Sequence, residues 1–345
     1  MKVNKNSRKR YLDIAKAIGL IIVLINHMEL SLGGLNRYLG AFYVSEFFLL
    51  AGLTFRVKET ETTKEFMIKK AKRLLLPYAG YSIFYLIWYG VRAIASGSFQ
   101  GMDFLKKLIG CIYARNYLFP GKENPVYLME IMNAPMWFLP ALFLSLVLYY
   151  LISKYLGMKK VYGVAVAYGA AVVIHYFVPV LLPWSIDTVL AMMPLLYLGE
   201  WLGTVEYIEI AKKKWWHVPV VLVIFLLSVY WNGAGNISVG DYGKSMVVFL
   251  VASCTGTLLC ILAAYFIEKY LHFLGKPLMI VGMSTLDILC LHLFVFALMQ
   301  TAFQMAGMDS NNGFVKLIII IMGLLVPVIF SNIVKLGKKK NKKKD

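Results

Sequence analysis

Ten apolar runs recur along the chain, at about 12–31, 39–55, 75–95, 136–152, 161–178, 186–204, 217–232, 246–267, 278–298 and 314–334. Each is close to the roughly 20 mostly apolar residues that a helix needs to cross the hydrocarbon core of a bilayer. With 60% of its residues hydrophobic and 16% charged, the chain would expose far more apolar surface in water than a soluble monomer tolerates. The sequence therefore predicts an all-α, polytopic integral membrane bundle of about ten transmembrane helices. Residues 1–334 are expected to form one domain, with 335–345 as a basic tail.

An even number of spans puts both termini on one side, and the charges indicate which side. Of the 36 Lys and Arg residues, 27 fall on segments that this count places inside and eight on those it places outside. That bias predicts a cytoplasmic N-terminus and C-terminus. The same placement accounts for the net charge of +18. Cations beside apolar runs meet anionic headgroups, so membrane lipid, and not nucleic acid, is the expected partner.

The cysteines at 111, 254, 260 and 290 show no CxxC spacing, and three lie in predicted helices. Neither a disulfide framework nor a metal site is expected. The first apolar run is long enough to span and is followed by no small-residue cleavage site. It is therefore expected to be a retained helix and not a signal peptide. Two connections are long. Residues 56–74 form a charged stretch whose end, 66–74, is predicted to be a helix carrying Lys69, Lys70, Lys72 and Arg73 to the inner membrane surface. Residues 96–135 combine an amphipathic part, MDFLKKLIGCIY, with a Pro/Gly/Asn-rich part, and an outer loop of that length is more often functional than decorative.

Chemistry enters with the first run, RKRYLDIAKAIGLIIVLINHMELS (8–31). Ionisable side chains within a lipid-buried helix are costly and need a partner or a task. Lys16 and His27 are eleven residues apart, about three helical turns, so they share a face and lie about 16 Å apart along the axis. This stripe, cationic at one end and imidazole-bearing at the other, suits an extended anionic ligand whose reactive end lies deep. Asp13 can pair with Lys16, and Glu46 on the second run is a possible partner for His27 from another helix. The alternative is structural: His27 hydrogen-bonding across helices and Lys16 snorkelling to the interface. His292 lies seven residues beyond Thr285 on one face and either binds acceptor or ties helices together. Asp187, Glu200 and Asp287 are charged positions in predicted spans with no role readable from sequence, and His175, His217 and His272 lie near span ends.

The order of these features resembles membrane-bound acyltransferase family 3. RYLDIAKAIGLIIVLINH is similar to that family's opening, a cation, ten residues, then a catalytic His. AFYVSEFFLLAGLTF (41–55) resembles its second helix, although Ala51 stands where Ser is usual. KKAKRLLLPY (69–78), APMWFLPALF (134–143), LLYLGEWLG (195–203) and LGKPLMIVGMSTLDILCLH (274–292) resemble its later segments in the same order. The nearest branch is the fucose 4-O-acetylase-like and polysaccharide O-acetyltransferase one. Lys16 and Lys70 replace arginines, which keeps the charge and weakens bidentate phosphate recognition.

The resemblance implies an O-acyltransferase of the bacterial inner membrane that moves acetyl from acetyl-CoA to a hydroxyl of a cell-envelope polysaccharide or lipid-linked sugar. His27 would be the general base, and Lys16, Lys70 and Arg73 would hold the donor's phosphates. Asn133 and Trp137 would be candidate oxyanion donors, with Glu46 and His292 near the substrates and no metal involved. The rival reading is a multi-helix transporter with buried Asp, Glu and His along a path. Against it, no repeat is visible in the sequence.

Overall fold

A computed structural model describes residues 9–120, 128 and 131–341. Fifteen α-helices follow one another among these residues: α1 (Arg10–His27), α2 (Leu35–Gly40), α3 (Glu46–Leu53), α4 (Thr63–Ala95), α5 (Gly101–Tyr113), α6 (Phe138–Leu156), α7 (Lys160–Phe177), α8 (Ile186–Ala191), α9 (Met193–Thr204), α10 (Tyr207–Lys213), α11 (His217–Asn232), α12 (Met246–Tyr270), α13 (His272–Met283), α14 (Thr285–Met305) and α15 (Gly313–Asn341). Short 3-10 turns join some of them, and no β-strand occurs among the described residues. The protein is an all-α membrane bundle.

All ten predicted runs fall on helix, but not each on one unbroken helix. Five helical stretches are long and apolar enough to cross a membrane: Thr63–Ala95, Asn133–Phe177, Met246–Tyr270, Thr285–Met305 and Gly313–Val334. A sixth joins them if the bent pair α10 and α11 is one span. Three of the predicted runs are interrupted. The run at 39–55 breaks between α2 and α3, 186–204 between α8 and α9, and 278–298 at Ser284. Hydrophobicity specifies burial and does not by itself specify helix continuity.

The charged stretch before the third run is not separate from it. α4 begins at a capping box in which Thr62 accepts from the Glu65 backbone N–H and the Glu65 carboxylate accepts from that of Thr62. It then continues through Pro77 to Ala95. At the other end of the chain α15 runs on to Asn341, inside the predicted tail, because lysine is a good helix former. Half of the Pro/Gly/Asn-rich part of the 96–135 connection lies outside the described residues.

The chain divides into two units. The first comprises Met1–Phe47, Ile208–Leu226 and Ser253–Asp345; the second comprises Phe48–Tyr207 and Leu227–Ala252. In the first, Leu20, Val23, Leu24 and Met28 of and just after α1 share a buried core with Ile288 and Phe296 of α14 and Val315, Ile319, Ile320 and Val328 of α15. α13 packs backbone to backbone on α1: a Cβ at Gly282 would stand 1.8 Å from the Asp13 carbonyl oxygen. In the second unit α3 and α9 touch in the same way. A Cβ at Gly199 would meet the Leu49 carbonyl oxygen at 2.2 Å, and one at Gly52 the Leu196 carbonyl oxygen at 2.3 Å. Small-residue crossings of this kind hold helices together where lipid offers no hydrophobic drive.

Candidate active site

The α1 face that carries Leu20, Val23 and Leu24 continues, one turn on, to His27. The α14 face that carries Ile288 and Phe296 has His292 between them, at four-residue spacing. Packing the two apolar faces together therefore brings the two imidazoles together. His27 Nδ1 and His292 Nε2 are 2.7 Å apart. The ring planes are within 9° of parallel and the centroids 5.0 Å apart. The centroid separation exceeds the nitrogen separation by about two ring radii, so the nitrogens face one another along a line, as in an N–H···N hydrogen bond.

The next link fixes where the protons are. His292 Nδ1 lies 2.8 Å from the Ile288 carbonyl oxygen, which can only accept, so Nδ1–H donates. In the neutral ring His292 Nε2 is then the lone-pair nitrogen and accepts from His27 Nδ1–H. That leaves His27 Nε2 unprotonated. His292 is completely buried and packs edge-on against Phe296, whereas His27, the last residue of α1, is exposed as a residue.

The predicted run at 12–31 places His27 inside a longer helix; the structure ends the helix at that residue. Glu29 adopts a left-handed conformation (φ 51°), its N–H donates to Asn26 O, and Leu30 N–H donates to Ile25 O. This pair of bonds is the Schellman closure. Lys316 Nζ donates to the Glu29 carbonyl at 3.2 Å.

The other predicted residues divide between the units. Lys16 and His27 do lie on one continuous helix, and Lys16 pairs with buried Asp13 at 3.2 Å. Glu46 is completely buried, but its carboxylate sits against α1 at Gly19, where a Cβ would be 2.7 Å from Oε2. Gly19 precedes His27 by eight residues, about 12 Å of helix rise, so Glu46 is not the partner of His27. Its contact is the Cys260 thiol, which donates to Oε1 at 3.4 Å. In the second unit Lys70 is half-buried, with Nζ over the Phe66 ring at 5.1 Å, and Arg73 is exposed three residues further along α4. Asn133 Nδ2 faces Cys111 Sγ at 3.5 Å, and Trp137 lies with its ring 5.9 Å from the Arg115 guanidinium.

The family model described as Acyltransferase domain (Acyl_transf_3) matches residues 9–332, nearly the whole chain. The chain belongs to this family. It is a multi-pass membrane acyltransferase, and no curated protein and no solved structure matches it.

Sequence reasoning missed a cation that is completely buried among the described residues of this acyltransferase. Arg115 counted as an outer-loop charge, yet its side chain is completely buried, with Nη2 donating to Asp187 Oδ2 at 2.7 Å and Nη1 to Thr188 Oγ1 at 3.3 Å. The only signal was Asp187 itself, an acid in an apolar run with no visible counter-charge. Two consecutive left-handed residues, Trp184 and Ser185 (φ 55° each), turn the chain so that α8 presents Asp187 and Thr188 to Arg115.

Proposed function

We propose that this acyltransferase transfers an acetyl group from acetyl-CoA to a hydroxyl of a cell-envelope polysaccharide or lipid-linked sugar, with His27 as general base. The observation that carries the reading is the chain His27–His292–Ile288 O. It supplies what a general base needs: a lone-pair nitrogen on a ring whose other nitrogen is held by a buried acceptor. The acceptor O–H gives its proton to His27 Nε2 while its oxygen attacks the thioester carbonyl carbon. The tetrahedral oxyanion collapses, the C–S bond breaks, and the departing CoA thiolate takes the proton back from the imidazolium. One ester forms, one thioester is lost, and the base is regenerated.

Phosphate binding falls to the cations. Lys70 and Arg73, three residues apart on α4, can act on one anion together. Lys16 contributes less, because Asp13 already neutralises it. The charge bias of the loops supports a donor approaching from the cytoplasm in a bacterial inner membrane.

The test is acetyl-CoA turnover by the purified protein, read as free thiol released with and without glycan acceptor. His27→Ala should lower it by about 10²- to 10⁴-fold while the protein elutes as the wild type does. Full turnover in that variant would sink the mechanism.

A further inference from the structure

The turn that ends α1, directly after His27, is held by two kinds of bond. Locally, Asn36 Nδ2 donates to the Leu30 carbonyl at 2.9 Å, and the Leu32 N–H donates to Asn36 Oδ1 at 2.6 Å. These bonds close six and four residues, so they shape the turn without tying it to another long helix. The tie comes from 287 residues away: Lys316 Nζ, on α15, donates to the Glu29 carbonyl oxygen at 3.2 Å. Glu29 is also the residue with the left-handed backbone (φ 51°). A residue with a side chain adopts that conformation at a cost and keeps it where the surroundings over-determine it.

We infer that Lys316 is a positioning residue for the acyltransferase reaction: by holding the Glu29 carbonyl it fixes the turn, and the turn keeps the His27 ring in line with His292. The inference rests on His27 as the general base, and three features support it. First, Lys316 is poorly placed for its own helix. Asn312 caps α15: its Oδ1 accepts from the Phe314 N–H and its carbonyl from the Lys316 N–H, each at 2.9 Å, which puts Lys316 in the first turn. The N-terminal end of a helix disfavours a cation and the C-terminal end favours one. The bond to Glu29 brings the start of α15 to the end of α1, so the ammonium that α15 disfavours suits α1. Second, the register is set beside it. Val315, Ile319 and Ile320 of α15 share the apolar core with Leu20, Val23, Leu24 and Met28, so the half-buried Lys316 side chain meets the turn without a search. Third, the contact it guards is demanding. His27 is the last residue of α1 and has helix on one side only. Its Nδ1 must stay 2.7 Å from His292 Nε2 with the rings within 9° of parallel. A swing of residues 28–30 would turn the His27 Cα–Cβ bond and break that line.

The experiment follows the His27 Nδ1–H proton by NMR on the full-length protein with isotope-labelled histidine, the signal being identified by its loss in His27→Ala. The same preparations are assayed for acetyl-CoA turnover with glycan acceptor, fitted for kcat and KM separately. Lys316→Met keeps the unbranched stem and removes the donor. It should broaden or erase the His27 signal with unchanged elution on size exclusion. It should also lower kcat by about 10-fold, less than the roughly 100-fold that a 1 Å misplacement can cost. Lys316→Arg restores a donor and should recover both readouts. Glu29→Gln keeps the carbonyl and removes the carboxylate, and should retain the His27 signal. An intact signal or wild-type kcat in Lys316→Met, a loss confined to KM, no recovery in Lys316→Arg, or a signal lost in Glu29→Gln would each overturn the assignment. The NMR signal needs neither donor nor acceptor. An active His27→Ala enzyme would therefore sink the base and leave the signal to decide what Lys316 holds. An intact signal in Lys316→Met would sink the positioning and leave the role of His27 standing.

Discussion

Replacing His292 with Phe tests whether the second imidazole orients the first or merely fills space. Phe keeps a planar ring between Ile288 and Phe296 and removes the acceptor of His27 Nδ1–H, now 2.7 Å away. A donor left unpaired beside a buried wall costs about 1–3 kcal/mol. Free imidazole also prefers its proton on Nε2, so His27 would present an N–H where the mechanism needs a lone pair. At about 1.4 kcal/mol per factor of ten, that penalty lowers kcat by about 5- to 150-fold. His292→Gln offers an amide oxygen in place of Nε2 and should recover a substantial part of the loss. The assay is acetyl-CoA turnover with glycan acceptor, fitted for kcat and KM separately, on variants that elute as a single species. The loss should appear in kcat, because neither substrate touches His292 in this scheme. Wild-type kcat in His292→Phe, or equal activities for the Phe and Gln variants, refutes the tautomer argument.

Other consequences are as direct. Lys70→Ala and Arg73→Ala should each raise KM for acetyl-CoA severalfold with little change in kcat, and the difference from wild type should shrink as salt screens the phosphate contacts. Asp187→Ala strands a completely buried guanidinium and should destabilise the protein by about 3–5 kcal/mol, read as a lower unfolding midpoint in detergent. The double variant Arg115→Leu/Asp187→Leu should recover most of that loss, and equal midpoints for single and double variants would contradict the pairing. Gly199→Leu drives a side chain into the α3 backbone and should yield aggregated protein. Gly169→Ala, with nothing within 4 Å, should be neutral or stabilising by up to about 1 kcal/mol in the same thermal assay.

The sequence alone determined that this is a multi-helix membrane protein, because burial in lipid requires long apolar runs and those are written consecutively. It placed His27 and Lys16 on one face, because helical periodicity is local. Where the helices break was less legible. Glu29 and Ser284 interrupt apolar runs, and the left-handed pair Trp184–Ser185 turns the chain into the next one, for reasons that lie in packing: α13 must reach α1 at Gly282, and α8 must turn to deliver Asp187. The tertiary structure alone decided that His292 is the partner of His27 and that Glu46, the partner the sequence suggested, is not. The two imidazoles are 265 residues apart and meet because the Leu20–Leu24 face of α1 and the Ile288–Phe296 face of α14 share one apolar core. It likewise paired Arg115 with Asp187 across 72 residues. Periodicity reports which side of a helix is apolar; which other helix covers that side follows from the packing of the whole chain.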